Sequence, residues 1–148
     1  MDPKLIYKLL SLGKIGVIPT DTIYGIVGSA LIPDVVEKIY KLRKRSSDKP
    51  FIILNSNLND TNHFNVTLTD KQKQFLEKHL PNPLSVVLPQ TKGDWEYLHR
   101  GTKTLAFRMP KNKWLINLLK RIGPLVAPSA NIEGEKPSET INEAKKYF

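Results

Sequence analysis

Thr20, Asp21 and Thr22 stand between the apolar run Ile15-Gly16-Val17-Ile18 and Ile26-Val27-Gly28, bracketed by Pro19 and Gly25. A turn needs only one or two residues such as Asp or Gly. Three short polar side chains at a strand exit therefore have the composition of a binding site. Further along, Arg43-Lys44-Arg45 leads through Ser46-Ser47-Asp48 to Lys49-Pro50. Ser46, Ser47 and Pro50 discourage helix here. On an extended segment Arg43 and Arg45 share a face and form a two-pronged clamp for phosphate or carboxylate, backed by Lys49. Guanidinium suits that task because its planar donors pair bidentately with such oxygens. The other reading is a solvated helix end whose cations offset the macrodipole.

In Ala127-Pro128-Ser129-Ala130-Asn131-Ile132-Glu133-Gly134, Ser129 and Asn131 supply a hydroxyl and an amide beside backbone N–H groups. That is the makeup of an anion cradle, or of an Asx turn at a strand exit. Arg108, between Phe107 and Met109, lies on an apolar strand where a cation needs a partner. Its partner is a ligand carboxylate or a local Asp. His63, His79 and His99 show no metal-ligand spacing and read as surface residues. No nucleophile–base pair can be assembled, and neither G-x-x-x-x-G-K-[ST] nor G-x-G-x-x-G occurs.

The elements that must position these residues follow from apolar spacing and punctuation. Asp2-Pro3 opens a helix with Leu5, Ile6, Leu9 and Leu10 as its apolar stripe and Gly13 as its stop. Residues 15–18 form a short buried strand. Pro33-Asp34 opens a second helix carrying Val35, Val36, Ile39, Tyr40 and Leu42. Residues 51–54 form a strand and the Asn-rich residues 55–66 a surface loop. Thr69-Asp70 caps a helix with Phe75, Leu76 and Leu80. Pro81-Asn82-Pro83 is a rigid corner into a strand over 84–88, Gln90 to Gly93 a turn, and 104–109 a further strand. Trp114 to Ile122 is helical, closed by Gly123-Pro124. Leu125-Val126-Ala127 is a strand, residues 128–138 a polar loop, and a helix starts at Thr140. The interleaving argues for one α/β domain over residues 1–148. Two strands with no helix between them over 84–109 make the expected sheet mixed, parallel and antiparallel, flanked by helices.

At 148 residues, with 40% hydrophobic content, the chain is long enough for one continuous core. No apolar stretch approaches the roughly 20 residues of a membrane span, and the first residues carry no signal-peptide pattern. The absence of cysteine excludes disulfides, thiolate catalysis and the common zinc sites, and cytoplasm is the expected compartment. A net charge of +9 points to an anionic partner.

Taken in order, "IPTDTIYGIVGSA", "IYKLRKRSSDKPFIIL", "PNPLSVVLP", "LAFRMP" and "VAPSANIEGEKPS" resemble the YrdC family, the L-threonylcarbamoyladenylate synthases also called TsaC. The resemblance runs from about residue 13 to about residue 140. It implies synthesis of threonylcarbamoyl-AMP and pyrophosphate from L-threonine, bicarbonate and ATP, for threonylcarbamoyladenosine in tRNA. Other tRNA threonylcarbamoylation proteins are the implied partners, and no membrane is. It implies Thr20 and Arg108 as L-threonine ligands, and Arg43, Arg45, Ser129 and Asn131 as the catalytic group. Those four, with Lys49, Ser85 and Ser138, are the implied ATP ligands. The family's Lys-x-Arg is Arg43-Lys44-Arg45 here, a planar fork where the family has a point charge. Its Pro-Gly-Pro-Leu-Thr is Pro81-Asn82-Pro83-Leu84-Ser85, which keeps a hydroxyl at Ser85. Mg²⁺ is expected with the triphosphate, bridging phosphate oxygens rather than sitting in a protein cage. The family continues into a strand with further Ser/Thr nucleotide ligands, whereas this sequence ends at Phe148. The expected ATP site is accordingly open on one side, weak and salt-sensitive. The alternative function is a non-catalytic binder of double-stranded RNA or tRNA. A third is a carbamoyl-transfer module like that of hydrogenase maturation proteins.

Overall fold

Apolar runs that alternate between two faces build the sheet at the centre of this molecule. The computed structural model describes residues 2–90 and 92–148. Helix α1 (Pro3–Ser11) begins at Asp2, whose carboxylate accepts the Lys4 N–H at 2.9 Å. Strands β1 (Gly16–Pro19) and β2 (Tyr24–Ser29) form an antiparallel hairpin pairing Pro19 with Tyr24. Then come α2 (Pro33–Arg43), β3 (Ile52–Leu54), a 3₁₀ turn over Leu58–Phe64 and α3 (Asp70–His79). Strand β4 (Ser85–Pro89), α4 (Glu96–His99), β5 (Thr104–Arg108), α5 (Lys113–Ile122), β6 (Leu125–Val126) and α6 (Ile141–Ala144) complete the order.

The six strands run β1-β2-β6-β3-β5-β4 across one mixed sheet, in which only the β3–β5 pairing is parallel. In β2, β3 and β6 successive side chains enter different cores, as the period of two requires. Ile26, Ile53 and Val126 join α2 and Phe64 on one face. Val27, Leu54 and Leu125 join α1 and α5, through Leu10, Leu115, Leu118 and Leu119, on the other. A strand buried on both faces reads as a continuous apolar run. Gly28 lets α2 close on the sheet, because a Cβ there would stand 2.4 Å from Val35 Cγ1. Among the described residues no helix is long and apolar enough to cross a membrane.

The mixed α/β sheet matches the expectation, and four local features differ from it. Residues 24–29 form a strand, which makes the Thr-Asp-Thr cluster a hairpin loop rather than a strand exit. The Asn-rich segment 55–66 is not a surface loop. Asn57 and Asp60 form a capping box on the 3₁₀ turn. That capping satisfies the local backbone and lets Phe64 enter the core fully, edge-on to Trp95 at 5.1 Å. The 84–109 segment contains α4, and His99 on it is buried, its Nδ1 accepting the Gly101 N–H at 3.1 Å. Arg43 ends α2 rather than lying on an extended segment, because the helix stops one residue later, at Lys44 in the left-handed conformation (φ 49°). The turn expected over Gln90 to Gly93 includes Thr91, which lies outside the described residues; Gln90 itself is buried and donates to the Phe64 carbonyl at 2.9 Å.

Candidate functional site

An open cleft of about 360 Å³ lies where the β1–β2 loop, the end of α2, the end of β5 and the strand exit after β6 meet. The exit segment is stitched to β2 by Ile26 N–H to the Pro128 carbonyl (3.0 Å) and Ala130 N–H to the Tyr24 carbonyl (2.9 Å). Gly25 permits that approach: a Cβ there would meet Thr20 Cγ2 at 3.0 Å and the Pro128 oxygen at 3.4 Å. Of the sequence-predicted residues, Thr20, Arg43, Arg45, Arg108 and Ser129 line the cleft. Lys49, Ser85, Asn131 and Ser138 do not line it.

The hairpin loop divides its polar residues between two tasks. Thr20 closes the loop, its N–H and Oγ1 both donating to the Ile23 carbonyl at 3.1 and 2.6 Å. Asp21 anchors it. Its carboxylate accepts the N–H groups of Lys111 and Asn112 at 2.7 and 3.1 Å, just ahead of α5. Asn112 in turn caps α5, accepting from the N–H groups of Trp114 and Leu115. A carboxylate at a helix N-terminus is favoured by the macrodipole. Asp21 is thus a tether that sequence reasoning missed. No local pattern announces a contact across 90 residues.

Arg43 is 3% exposed, which corrects both the prong on an extended segment and the solvated helix end. Its Nε donates to the Asn131 carbonyl at 3.0 Å, and Nη2 donates to Asn131 Oδ1 at 3.0 Å and Ser129 Oγ at 3.2 Å. Nη1 is buried without a partner. Burial, reinforced by the nearby Arg45 cation, pulls its pKa down to about 10. All three acceptors are neutral, and among the described residues Arg43 makes no ion pair. A buried cation whose hydrogen-bond partners are all neutral is costly, and here it borders an open cleft. Asn131 is fully engaged, its Nδ2 donating to the carbonyls of Ile132 and Glu135 at 2.8 Å each. Its role is to fix Arg43 from behind, not to present its amide to the cleft.

Arg108 closes β5 opposite Ser85, its direct antiparallel partner on β4. The alternation that buries Leu105 and Phe107 turns Arg108 the other way. Arg108 Nε donates to Ser85 Oγ at 3.0 Å. Ser85 therefore orients the guanidinium. The alternative of a local Asp partner is not met among the described residues.

Of the remaining predicted residues, Arg45 lines the cleft, whereas Lys49 and Ser138 lie outside its lining. Arg45 Nε donates to the Lys49 carbonyl at 3.2 Å, and its guanidinium lies over the Phe51 ring at 5.5 Å. Lys49 Nζ pairs with Glu133 at 2.9 Å. Ser138 is 1% exposed, its hydroxyl donating to the Ala130 carbonyl and its own carbonyl accepting the Tyr24 N–H. Ser138 thus lies in the interior and outside the cleft lining, away from the phosphate role that the resemblance implies for it.

The cleft thus combines three arginines, one of them buried without an anion, with threonine and serine hydroxyls and an apolar floor of Ile52, Leu54 and Leu115. That set is suited to holding two anions side by side. Threonylcarbamoyl-AMP synthase of Bacillus subtilis is 33% identical to this chain over 138 residues, covering 91% of it and 39% of the relative. Sua5 of Pyrococcus abyssi, solved in complex with L-threonine, is 27% identical with a TM-score of 0.87, over 97% of this chain and 43% of that one. Escherichia coli YciO shares the fold at 21% identity, with a TM-score of 0.82 over 99% of this chain and 74% of that one. The chain spans less than half the length of the first two. The model of the Sua5/YciO/YrdC family, described as telomere recombination, matches residues 8–148, and the chain belongs to that family.

Proposed function

We propose that this chain carries the L-threonylcarbamoyladenylate synthase site, joining L-threonine, bicarbonate and ATP and releasing pyrophosphate. The observation that carries the reading is Arg43, a buried cation bordering the cleft with neutral partners only. Arg45 lies beside it and Arg108 on β5 adds a third guanidinium to the same cleft. In the proposed chemistry, the threonine amine and bicarbonate condense to a carbamate with loss of water. A carbamate oxygen then attacks the α-phosphorus, the bond to the β-phosphate oxygen breaks, and pyrophosphate leaves with its electron pair. No covalent enzyme intermediate is needed. The protein's part is to hold both anions in line and to stabilise charge growing on the phosphoryl oxygens. Arg43, Arg45 and Ser129 are assigned to the phosphates, with Asn131 positioning Arg43. Thr20 and Arg108 are assigned to the amino acid, with Ser85 positioning Arg108.

Mg²⁺ is proposed to arrive on the phosphate oxygens as part of the nucleotide substrate. Among the described residues the one carboxylate lining the cleft, that of Asp21, is already bonded to two backbone N–H groups, so the donor set does not fit a resident metal. The proposed compartment is cytoplasm, and the proposed consumers of the product are the proteins that transfer its threonylcarbamoyl group to tRNA adenosine.

The test is incubation of the protein with ATP, L-threonine and bicarbonate, with detection of pyrophosphate and the adenylate. Pyrophosphate release dependent on both co-substrates is expected. Its absence, together with salt-sensitive retention of tRNA, would transfer the reading to the non-catalytic RNA binder. Thr20→Val tests the amino-acid end. It keeps the shape and deletes the hydroxyl, so threonine binding should weaken about three- to ten-fold, the worth of one hydrogen bond, while ATP binding holds. Unchanged threonine binding by calorimetry would leave Thr20 as a loop-closing residue only.

A further inference from the structure

Glu133 reaches from the segment after β6 to the cations of residues 43–49. Glu133 Oε1 accepts from Lys49 Nζ at 2.9 Å, and Arg45 Nη1 lies 3.8 Å from the same oxygen. Glu133 Oε2 accepts the Ser46 N–H at 2.6 Å. The Glu133 N–H donates to the Arg43 carbonyl at 2.8 Å, so its backbone is fixed against the end of α2. The Lys49 and Ser46 contacts hold the carboxyl below its ordinary range, so it is ionised at neutral pH. Glu133 and Arg45 keep about a quarter of their side-chain surface exposed (24% and 23%), which leaves the pair open to exchange. The other carboxylate here, that of Asp48, is engaged with the Ser46 hydroxyl.

We propose that Glu133 is a built-in competitor for the cleft's anion: its carboxylate occupies Lys49 and Arg45 while the cleft is empty, and an incoming polyphosphate must displace it. The inference deepens the nucleotide reading and rests on it for the ligand class. A carboxylate and a phosphate oxygen compete for the same donors, since both pair with guanidinium and ammonium. Arg45 connects the pair to the cleft, since it lines it while Lys49 does not, and with Glu133 in place the net charge that Arg45 and Lys49 offer a ligand is lowered by one. The device would favour multiply charged ligands over single phosphates, because only several oxygens together recover what the displaced carboxylate gave up.

A merely structural staple predicts the opposite sign. If Glu133 only holds the 44–49 segment, removing its charge loosens that segment and weakens anion binding. Glu133→Gln keeps the shape and one acceptor for the Ser46 N–H while deleting the charge, and Glu133→Ala checks the sign without the amide. Calorimetric titration with inorganic tripolyphosphate should show about two- to five-fold tighter binding in both variants at low salt, the scale of a partly exposed ion pair. The gain should shrink as salt screens it, and should disappear when Lys49→Met is added to Glu133→Gln. Equal or weaker tripolyphosphate binding in both variants overturns the proposal, as does absence of binding to all the proteins. ATP titrations run in parallel separate the two readings. Tripolyphosphate tightened by the variants, with ATP bound by none, would leave the competitor standing and remove the nucleotide site.

Discussion

Arg43→Ala should lose stability and anion binding together. The guanidinium ties the last residue of α2 to the 129–131 segment through three hydrogen bonds of 3.0–3.2 Å. Truncation leaves Oδ1 and the carbonyl of Asn131 in a buried site without those donors. Hydrogen bonds from a charged donor are worth roughly 1.5–3 kcal/mol each, and relief of a desolvated cation gives part of that back. A net loss of about 2–4 kcal/mol is expected. It is read as a lower urea midpoint at unchanged m, with ATP and tripolyphosphate binding reduced at least ten-fold. Arg43→Lys keeps the charge but not the fork that reaches three acceptors, so it should fall between. An unchanged midpoint with lost binding would make Arg43 a clamp for the ligand and not a tie between segments. No change in either would remove Arg43 from the site.

The same residue gives a signed pH argument. Its folded pKa of about 10 is lower than that of a free guanidinium, because burial disfavours the charged form. The unfolded chain therefore holds the proton more tightly. Below about pH 10 the folded state carries the full cost of an ionised, poorly solvated guanidinium. That cost falls as pH rises above about 10, so this residue's contribution moves toward stability there. At neutral pH an anion in the cleft relieves the same cost, so phosphate-bearing ligands should raise the unfolding temperature of the parent protein and not that of Arg43→Ala.

Arg108→Ala should abolish most threonine affinity while sparing the fold. Its one side-chain hydrogen bond is to Ser85 Oγ, across the β5–β4 pair at the edge of the sheet, so little packing is lost. A charge-assisted contact to the substrate carboxylate is worth roughly 1.5–3 kcal/mol, which makes the expected loss ten-fold or more. Ser85→Ala removes the orienting acceptor and leaves the charge, so the loss there should be about three-fold. ATP binding should be little altered in either. Threonine titration and thermal unfolding decide it together. Normal threonine binding by Arg108→Ala would place the carboxylate elsewhere in the cleft.

The amino-acid sequence by itself determined the sheet class, most elements and the residues worth watching, because those are written in local signals. Asp2 and Thr69 start helices by accepting one of their first N–H groups, and Pro33 starts one by lacking an N–H to satisfy and by presetting φ. Short apolar runs such as Ile53-Leu54 and Leu125-Val126 mark strands buried on both faces. The ordered polar motifs marked Thr20, Arg43, Arg45, Arg108 and Ser129, and the fold brings these five to one cleft.

Only the tertiary structure decided what each of them is free to do. Whether Arg43 points to solvent or into the interior depends on where α2 stops and on Asn131, 88 positions away. Asp21 could pass for a ligand until its carboxylate met Lys111 and Asn112. Glu133 was one polar residue in a loop until it reached Lys49, 84 positions earlier. Helix caps and strand periods act over a few residues and so leave a trace in the local pattern. A hydrogen bond between distant segments depends on the direction of each side chain after the sheet has assembled, and residue type at one position does not encode that direction.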